Sequence, residues 1–485
     1  MRRALAAIGV LLLLLAAVVL VKTALFTSKQ GPVEPAAPLA VDREQLAARL
    51  AEAIRFRTIS NPDPAAVDAP AFLGLRAHLE RSFPRAHAAL TREVIGDHTL
   101  LFTWTGSEAT LKPLLLMAHQ DVVPVEPGTE TAWTHPPFEG RITGGYIWGR
   151  GTLDDKSGVL SQLEAVELLL TQSWQPRRTV HLAFGHDEEI AGTRGAAAVA
   201  ALFRSRGIEL EYVMDEGLVI TVDALKGVPA PVALVGIAEK GSVVVELSVR
   251  SPGGHSSMPP PSTAIGILSA AVHRLEVRQF PARLDGVAGS LFAHVGPEMP
   301  FLQRLALANL WLSRRLLLRQ LAASPGTNAV IRTTTAVTQI DGGVKENVLP
   351  SQARAIVNFR TLPGDGPETV VEHVRTAIGD PRVVVRALDS SAASPVSSLA
   401  APSYRLVERT IRQVFPEVIV APGLFVALSD SRHFGALSPS VYRFRPWRAT
   451  LEDLRRIHGT DERISVADYE GCVRFYVQLL RNSTR

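Results

Sequence analysis

The chain has 485 residues, 46% of them apolar and 20% charged, with a formal net charge of +4. That balance supports a large buried core and excludes intrinsic disorder. The chain has no Lys/Arg tract or nucleic-acid motif, which excludes a nucleic-acid function. A single cysteine, Cys472, excludes an intrachain disulfide and suits a buried, inert thiol.

Arg2-Arg3 precede an unbroken apolar run of 18 residues, Ala4 to Val21, which Lys22 closes. That length reaches the lower limit for a transmembrane helix, and the leading arginines favour an N-inside orientation. The expectation is an uncleaved signal anchor over 1–26, with the catalytic part on the extracytoplasmic side, periplasmic or extracellular. Cleavage as a signal peptide would make the protein secreted instead. The Pro/Ala-rich segment 27–41 reads as a linker.

Asp42 is the expected N-cap of a helix running to about Arg55, with Leu46, Leu50 and Ile54 on one face. Helices are also expected over 69–83, 158–171 and 196–203. Between them lie short apolar strands at 99–104, 113–118, 180–184 and 212–214. Strands alternating with helices predict βαβ units and a mainly parallel sheet flanked by helices, an α/β fold. From Gly241 the pattern changes. Ser242 to Val249 alternates, and helices at 262–275 and 367–378 accompany strands at 333–339 and 354–359. This predicts an α+β domain over 242–388 inserted in the α/β chain, whose two parts are 42–241 and 389–485. Helices are expected again at 403–415 and 468–480. The stretch 301–322 stands apart, with four Arg, no acid and Leu on more than one face. It reads as an ordinary buried helix, or as an amphipathic helix on a membrane surface or lining an apolar acyl pocket.

The chemistry-bearing residues cluster at strand ends. Leu114 to Ala118 leads into His119-Gln120-Asp121, and His119 and Asp121, two apart on a strand, share a face. Alone, such a pair is equally a hydrogen-bonded polar contact. Similar settings recur at Asp154, at Glu188-Glu189 after the 180–184 strand, and at Asp215, with His458 far along the chain. Two metal ions need imidazole nitrogens and carboxylate oxygens with one carboxylate shared, a base for water, and a carboxylate to orient a histidine. The residue types present match that requirement. Glu188 and Glu189 are adjacent, so one can bind metal while the other faces the water. No Gly-x-Ser-x-Gly occurs in a suitable strand context, which argues against a serine hydrolase.

These segments are Met117-Ala118-His119-Gln120-Asp121-Val122-Val123-Pro124, Gly149-Arg150-Gly151-Thr152-Leu153-Asp154-Asp155-Lys156, Asp187-Glu188-Glu189 and Gly254-His255-Ser256-Ser257. In them the chain resembles the zinc aminoacylase/carboxypeptidase metallopeptidase family from about residue 45 onward. Members include glutamate carboxypeptidase, succinyl-diaminopimelate desuccinylase and aminoacylase. The resemblance is greatest to the Gly-Xaa carboxypeptidase (carboxypeptidase S) and N-fatty-acyl-amino-acid hydrolase branch.

The resemblance implies a di-zinc peptidase fold with a lid, and two Zn2+ ions per subunit, for which Co2+ or Mn2+ can substitute. It assigns His119, Asp154 and Asp215 to one ion and Asp154, Glu189 and His458 to the other. Asp121 would orient His119, and Glu188 would be the general base. His255, Asn347 and Arg360 would hold the substrate, a small molecule or short peptide with a free carboxylate, which a guanidinium fork suits. It also implies a homodimer through the lid. The implied activity is removal of a C-terminal residue from short peptides or hydrolysis of N-acyl amino acids. The alternative is a catalytically inactive, membrane-tethered binding protein on the same fold.

Overall fold

The computed structural model describes residues 1–225 and 227–484. Its frame is an eight-stranded sheet. In spatial order the strands are Thr91–Ile95, Thr99–Trp104, Val180–Gly185, Leu114–His119, Val213–Thr221, Val441–Ala449, Val232–Glu239 and Ile419–Phe425. The sheet is mixed rather than mainly parallel. Its centre is parallel, from Val180–Gly185 through Leu114–His119 and Val213–Thr221 to Val441–Ala449. The first two strands form an antiparallel hairpin that continues antiparallel onto Val180–Gly185. Val232–Glu239 runs antiparallel to Val441–Ala449 and parallel to the edge strand Ile419–Phe425. The hairpin is a local connection that needs no crossover helix, so the βαβ pattern did not reveal it.

Leu114–His119 and Val180–Gly185 are buried along their whole length, as strands covered on both faces must be. Helices Arg43–Ile54, Lys156–Thr171, Pro402–Val414 and Val466–Ser483 contribute to the core on one face. Helix Ala196–Ser205 and the turn Asp430–Phe434 contribute to the other. The first of these helices starts as expected, with Asp42 Oδ1 accepting the Gln45 amide at 3.0 Å. Gly158, in helix Lys156–Thr171, allows a close crossing: a β-carbon there would overlap the guanidinium of Arg445.

A second, antiparallel sheet of four strands departs from the first at Gly241. Its order is Thr334–Gly342, Gln352–Thr361, Gly241–Arg250 and Val383–Ser391. Gly241–Arg250 alternates buried and half-buried residues. Its buried side forms a separate core with helices Ala264–Val277 and Pro367–Ile378. The chain leaves at Glu239 and returns at Ser394, and these two residues exchange backbone and side-chain hydrogen bonds.

Residues 286–331 do not join that smaller core. Leu291 and Val295 of helix Gly286–Val295 pack on Val232, Ile419 and Ala421 at the edge of the main sheet. The 301–322 stretch is two helices, Phe301–Ala308 and Leu310–Ala322, broken at Asn309. The N-terminal helix Arg2–Leu25 has a mean hydropathy of 3.1 and is long and apolar enough to cross a membrane.

Glu239 and Arg443, both fully buried, pair at 2.9 Å across two strands of the main sheet. Glu239 also accepts from the amide and hydroxyl of Ser429. Removing one partner of such a pair strands the other charge out of water. Arg443→Met is therefore expected to destabilise the protein by about 3–5 kcal/mol, read as a fall in the thermal or denaturant midpoint.

Candidate metal centre

The site lies beyond the ends of the parallel strands, where open α/β sheets leave a crevice. His119 is the last residue of its strand. Its Nδ1 is 3.0 Å from the Asp121 backbone carbonyl and 3.5 Å from the Asp121 carboxylate. That contact turns Nε2 toward Asp154 Oδ1, at 2.9 Å, and Glu216 Oε1, at 3.6 Å. Asp154 Oδ2 lies 3.0 Å from His458 Nε2, and the same nitrogen is 3.1 Å from Glu189 Oε2. Each oxygen of Asp154 thus faces a different imidazole. The ligand atoms of His119, Asp154 and Glu216 lie within 4.8 Å of one another, and so do those of Asp154, Glu189 and His458.

One residue differs from the expected set. Glu216, not Asp215, stands beside His119 and Asp154. The strand does not end at Asp215 but runs on as Val213–Thr221, so adjacent side chains point to opposite faces. The Asp215 carboxylate accepts the Ser431 amide at 2.8 Å and the Glu216 amide at 2.9 Å. It secures the strand to the turn Asp430–Phe434. The only sequence signal for Glu216 was its adjacency to Asp215, the same ambiguity that Glu188-Glu189 present.

Asp121 is fully buried, and its two oxygens accept the amides of Glu188 and Glu189 at 3.2 and 3.1 Å. It therefore holds both His119 and the turn that carries the two glutamates. Three supports escaped sequence reasoning. Glu462 accepts the amides of Gly151, Leu153 and Asp154 at 2.8–3.2 Å and pairs with Arg150 at 2.6 Å, all in the interior. Asp155 accepts the His119 amide at 3.2 Å and pairs with buried Arg445. Asp430 is buried near Asp215 and Asp121. Nothing local to residue 462 or 445 reveals these contacts, because their partners lie about 300 residues away.

In the smaller module, His255 and Asn347 are brought together. His255 pairs with Val348 across a two-stranded ribbon, and the Asn347 carbonyl accepts the Ser256 amide at 3.1 Å. His255 itself is exposed. Arg360 lies opposite Ser242, next to the point where the chain enters the module, and its Nη1 is buried without a hydrogen-bond partner among the described residues.

Burial, then the charge of Glu216, raises the Glu188 carboxyl well above the usual range. Burial, then Asp154, does the same to Glu216. At Asp154 burial acts upward, but hydrogen bonds with His119 and His458 outweigh it and hold the group well below normal. Burial works against protonated His119, yet Glu216, Asp121 and Asp154 raise it well above 6.5. Hydrogen bonds to Asp154 and Glu189 raise His458 to about 10. Buried carboxylates outnumber the two imidazoles, and Glu189 Oε1 is buried without a partner among the described residues. This mixed nitrogen and oxygen set, joined through one shared carboxylate, fits a pair of divalent cations.

Such a centre at the strand ends of an α/β sheet defines a metal-dependent hydrolase. The chain belongs to peptidase family M20/M25/M40, which matches residues 115–482, and it is a metal-dependent amide hydrolase of the carboxypeptidase/aminoacylase type. It is 42% identical over 446 residues to the N-fatty-acyl-amino acid synthase/hydrolase PM20D1 of Xenopus tropicalis, covering 91% of this chain and 86% of the relative. Carboxypeptidase S of Saccharomyces cerevisiae is 32% identical over 485 residues, covering 90% and 83%. The M20 metallo-carboxypeptidase Sso-CP2 of Sulfolobus solfataricus shares the fold. Its TM-score is 0.62 at 18% identity, covering 91% of this chain and 99% of that one.

A charge cluster of this kind predicts a pH-dependent response to chelation. The raised pKa values of Glu188, Glu216 and His458 mean that the metal-free folded chain binds more protons than the unfolded chain. Its stability is therefore present at lower pH and lost as pH rises, whereas metal ligands must be deprotonated. Chelator should lower the melting temperature more at about pH 8 than at about pH 6, read by thermal melts with and without chelator.

Proposed function

We propose that the protein hydrolyses N-acyl amino acids with a long apolar acyl chain, using two zinc ions. Short peptides with a free C-terminal carboxylate are the competing substrates. The carrying observation is Asp154, whose two oxygens face two separate donor groups. His119, Asp154 and Glu216 would hold one ion, and Asp154, Glu189 and His458 the other. Bound zinc supplies Lewis acidity, lowering the pKa of water and polarising a carbonyl.

The residues of the chain supply the rest. Asp121 keeps His119 Nδ1 occupied, so Nε2 faces the centre. Glu188, desolvated and therefore a stronger base than a solvated carboxylate, takes the proton of the attacking water. It returns that proton to the amide nitrogen as the C–N bond breaks and the new C–O bond completes the product carboxylate. The 242–388 module acts as a lid. His255 donates to the developing oxyanion, Asn347 helps position the substrate, and Arg360 pairs its free guanidinium edge with the α-carboxylate. The names of both curated relatives support an amide or peptide substrate, and the apolar stretch 301–322 favours the acyl one. The complete donor set argues against the inactive binding-protein reading. The helix Arg2–Leu25 would anchor the enzyme, with the catalytic part outside the cytoplasmic membrane.

Two variants separate the roles. Glu188→Gln should retain bound zinc and lose about 10²–10⁴-fold in kcat, on both an N-oleoyl amino acid and a Gly-Leu dipeptide. Wild-type turnover in that variant would remove Glu188 from the mechanism. The wild-type kcat/KM on those two substrates decides between the acyl and the peptide reading. Glu216→Gln should lower the zinc content measured on the purified protein, and full retention would return the ligand role to another residue.

A further inference from the structure

Residues 301–322 carry four arginines and no acid, and none of these arginines has a role in the catalytic reading. Their placement is specific. Asn309, at the break between the two helices, is buried, and its Nδ2 donates to the Val19 carbonyl and the Thr23 hydroxyl, each at 3.2 Å. Thr23 is likewise buried. Lys22 Nζ lies 5.7 Å from the Trp311 ring. The Phe26 ring lies close against Gly296, where a β-carbon would be 2.7 Å from it. The 286–331 unit therefore grips the C-terminal turn of the N-terminal helix.

That grip sets a depth. Ala4 to Val21, at about 1.5 Å per residue, is about 27 Å of apolar helix, close to the thickness of a bilayer's hydrocarbon layer. Lys22 then marks the outer boundary, and Trp311 stands beside it, the pairing of amphipathic ring and snorkelling cation found at membrane interfaces. Helix Leu310–Ala322 starts at this level. Leu317, Leu318 and Leu321 turn inward against Ala288 and Ile331. Trp311, Leu312, Arg315, Leu316 and Arg319 fall on the opposite arc at helical spacing and are exposed, with Leu316 at 72%. An apolar stripe interleaved with arginines suits the headgroup layer of an anionic bilayer.

The unit is not free to swing away. Lys240 Nζ donates to the carbonyls of Ala329 and Arg332 at 2.9 and 2.8 Å, at the far end of the insert. Gln30, beyond the N-terminal helix, donates its Nε2 to the Val420 carbonyl of the sheet edge and accepts the Val420 amide at Oε1.

We infer that the exposed face of helix Leu310–Ala322 docks on the anionic lipid surface through which the N-terminal helix passes. This fixes the enzyme against the outer leaflet rather than leaving it on a free tether. The inference rests on the anchor reading of Arg2–Leu25, and the test separates the two. The full chain is placed, one copy per disc, in nanodiscs containing phosphatidylglycerol and a nitroxide-labelled lipid. Single thiols for an environment-sensitive fluorophore are introduced as Leu316→Cys, Leu12→Cys and Val344→Cys, native Cys472 being buried. Val344 is an exposed control in the inserted module, at 94% exposure. Variants are accepted when they melt like wild type.

The expected result is quenching at 316 at least half as strong as at 12, and none at 344. Adding Arg315→Glu and Arg319→Glu should reduce the signal at 316 and leave 12 unchanged. Quenching at 12 with none at 316 overturns the docking and keeps the anchor. No quenching at either overturns both. Quenching at 316 that ignores both the charge reversals and removal of phosphatidylglycerol overturns the anionic surface as the partner. A single copy per disc prevents a second chain from producing the signal.

Discussion

The centre depends on how Asp154 is held. Its carboxylate presents one oxygen to His119 and the other to His458, and free rotation of the side chain would lose both contacts. The segment 149–155 that carries it has no regular secondary structure to stiffen it. Stiffness comes instead from Glu462, a buried acceptor for three amides of that segment, those of Gly151, Leu153 and Asp154. Those amides would otherwise be unpaired donors in the interior, each costing about 1–3 kcal/mol. Arg150 balances the Glu462 charge and donates to the His458 carbonyl at 3.1 Å. One buried pair thus positions both the shared carboxylate and the histidine that faces it.

Two stretches far apart in the chain meet at this point. The first part supplies His119, Asp121, Asp154 and the Glu188-Glu189 turn. The last part supplies His458, Glu462 and Arg445. Arg445 lies against Gly158 and pairs with Asp155, which in turn accepts the His119 amide. The smaller module leaves and returns between these parts, at Glu239 and Ser394, outside the network around Asp154. The Glu239–Arg443 pair marks the boundary. It is buried in the main sheet, yet Glu239 is one residue from the first residue fixed by the insert, Lys240.

Much of the site could be read from the chain because strand ends have a local signature. An apolar run followed by His119-Gln120-Asp121, or by His186-Asp187-Glu188-Glu189, announces a buried strand that stops in chemistry. Ambiguity entered wherever two acids are adjacent. At 215–216 the choice turned on one question, whether the strand ends or continues, and periodicity over three residues cannot answer it. The same limit hid strand Val232–Glu239 beside the change of pattern at Gly241. It also concealed the break at Asn309, whose side chain bonds another helix.

By itself, the amino-acid order determined the residue types at the strand ends, the alternation of strands and helices, the change of pattern at Gly241, and the apolar N-terminal helix. Each is written in neighbours a few positions apart, where backbone geometry imposes its period. Tertiary structure alone decided that Glu216 rather than Asp215 faces His119, that the main sheet is mixed, and that Glu462 supports Asp154. It alone also placed residues 286–331 on the sheet edge and the N-terminal helix rather than in the inserted module. These outcomes depend on which distant amides, carboxylates and rings remain to be satisfied once the core closes. Such pairings form across hundreds of residues and leave no periodic trace in the chain.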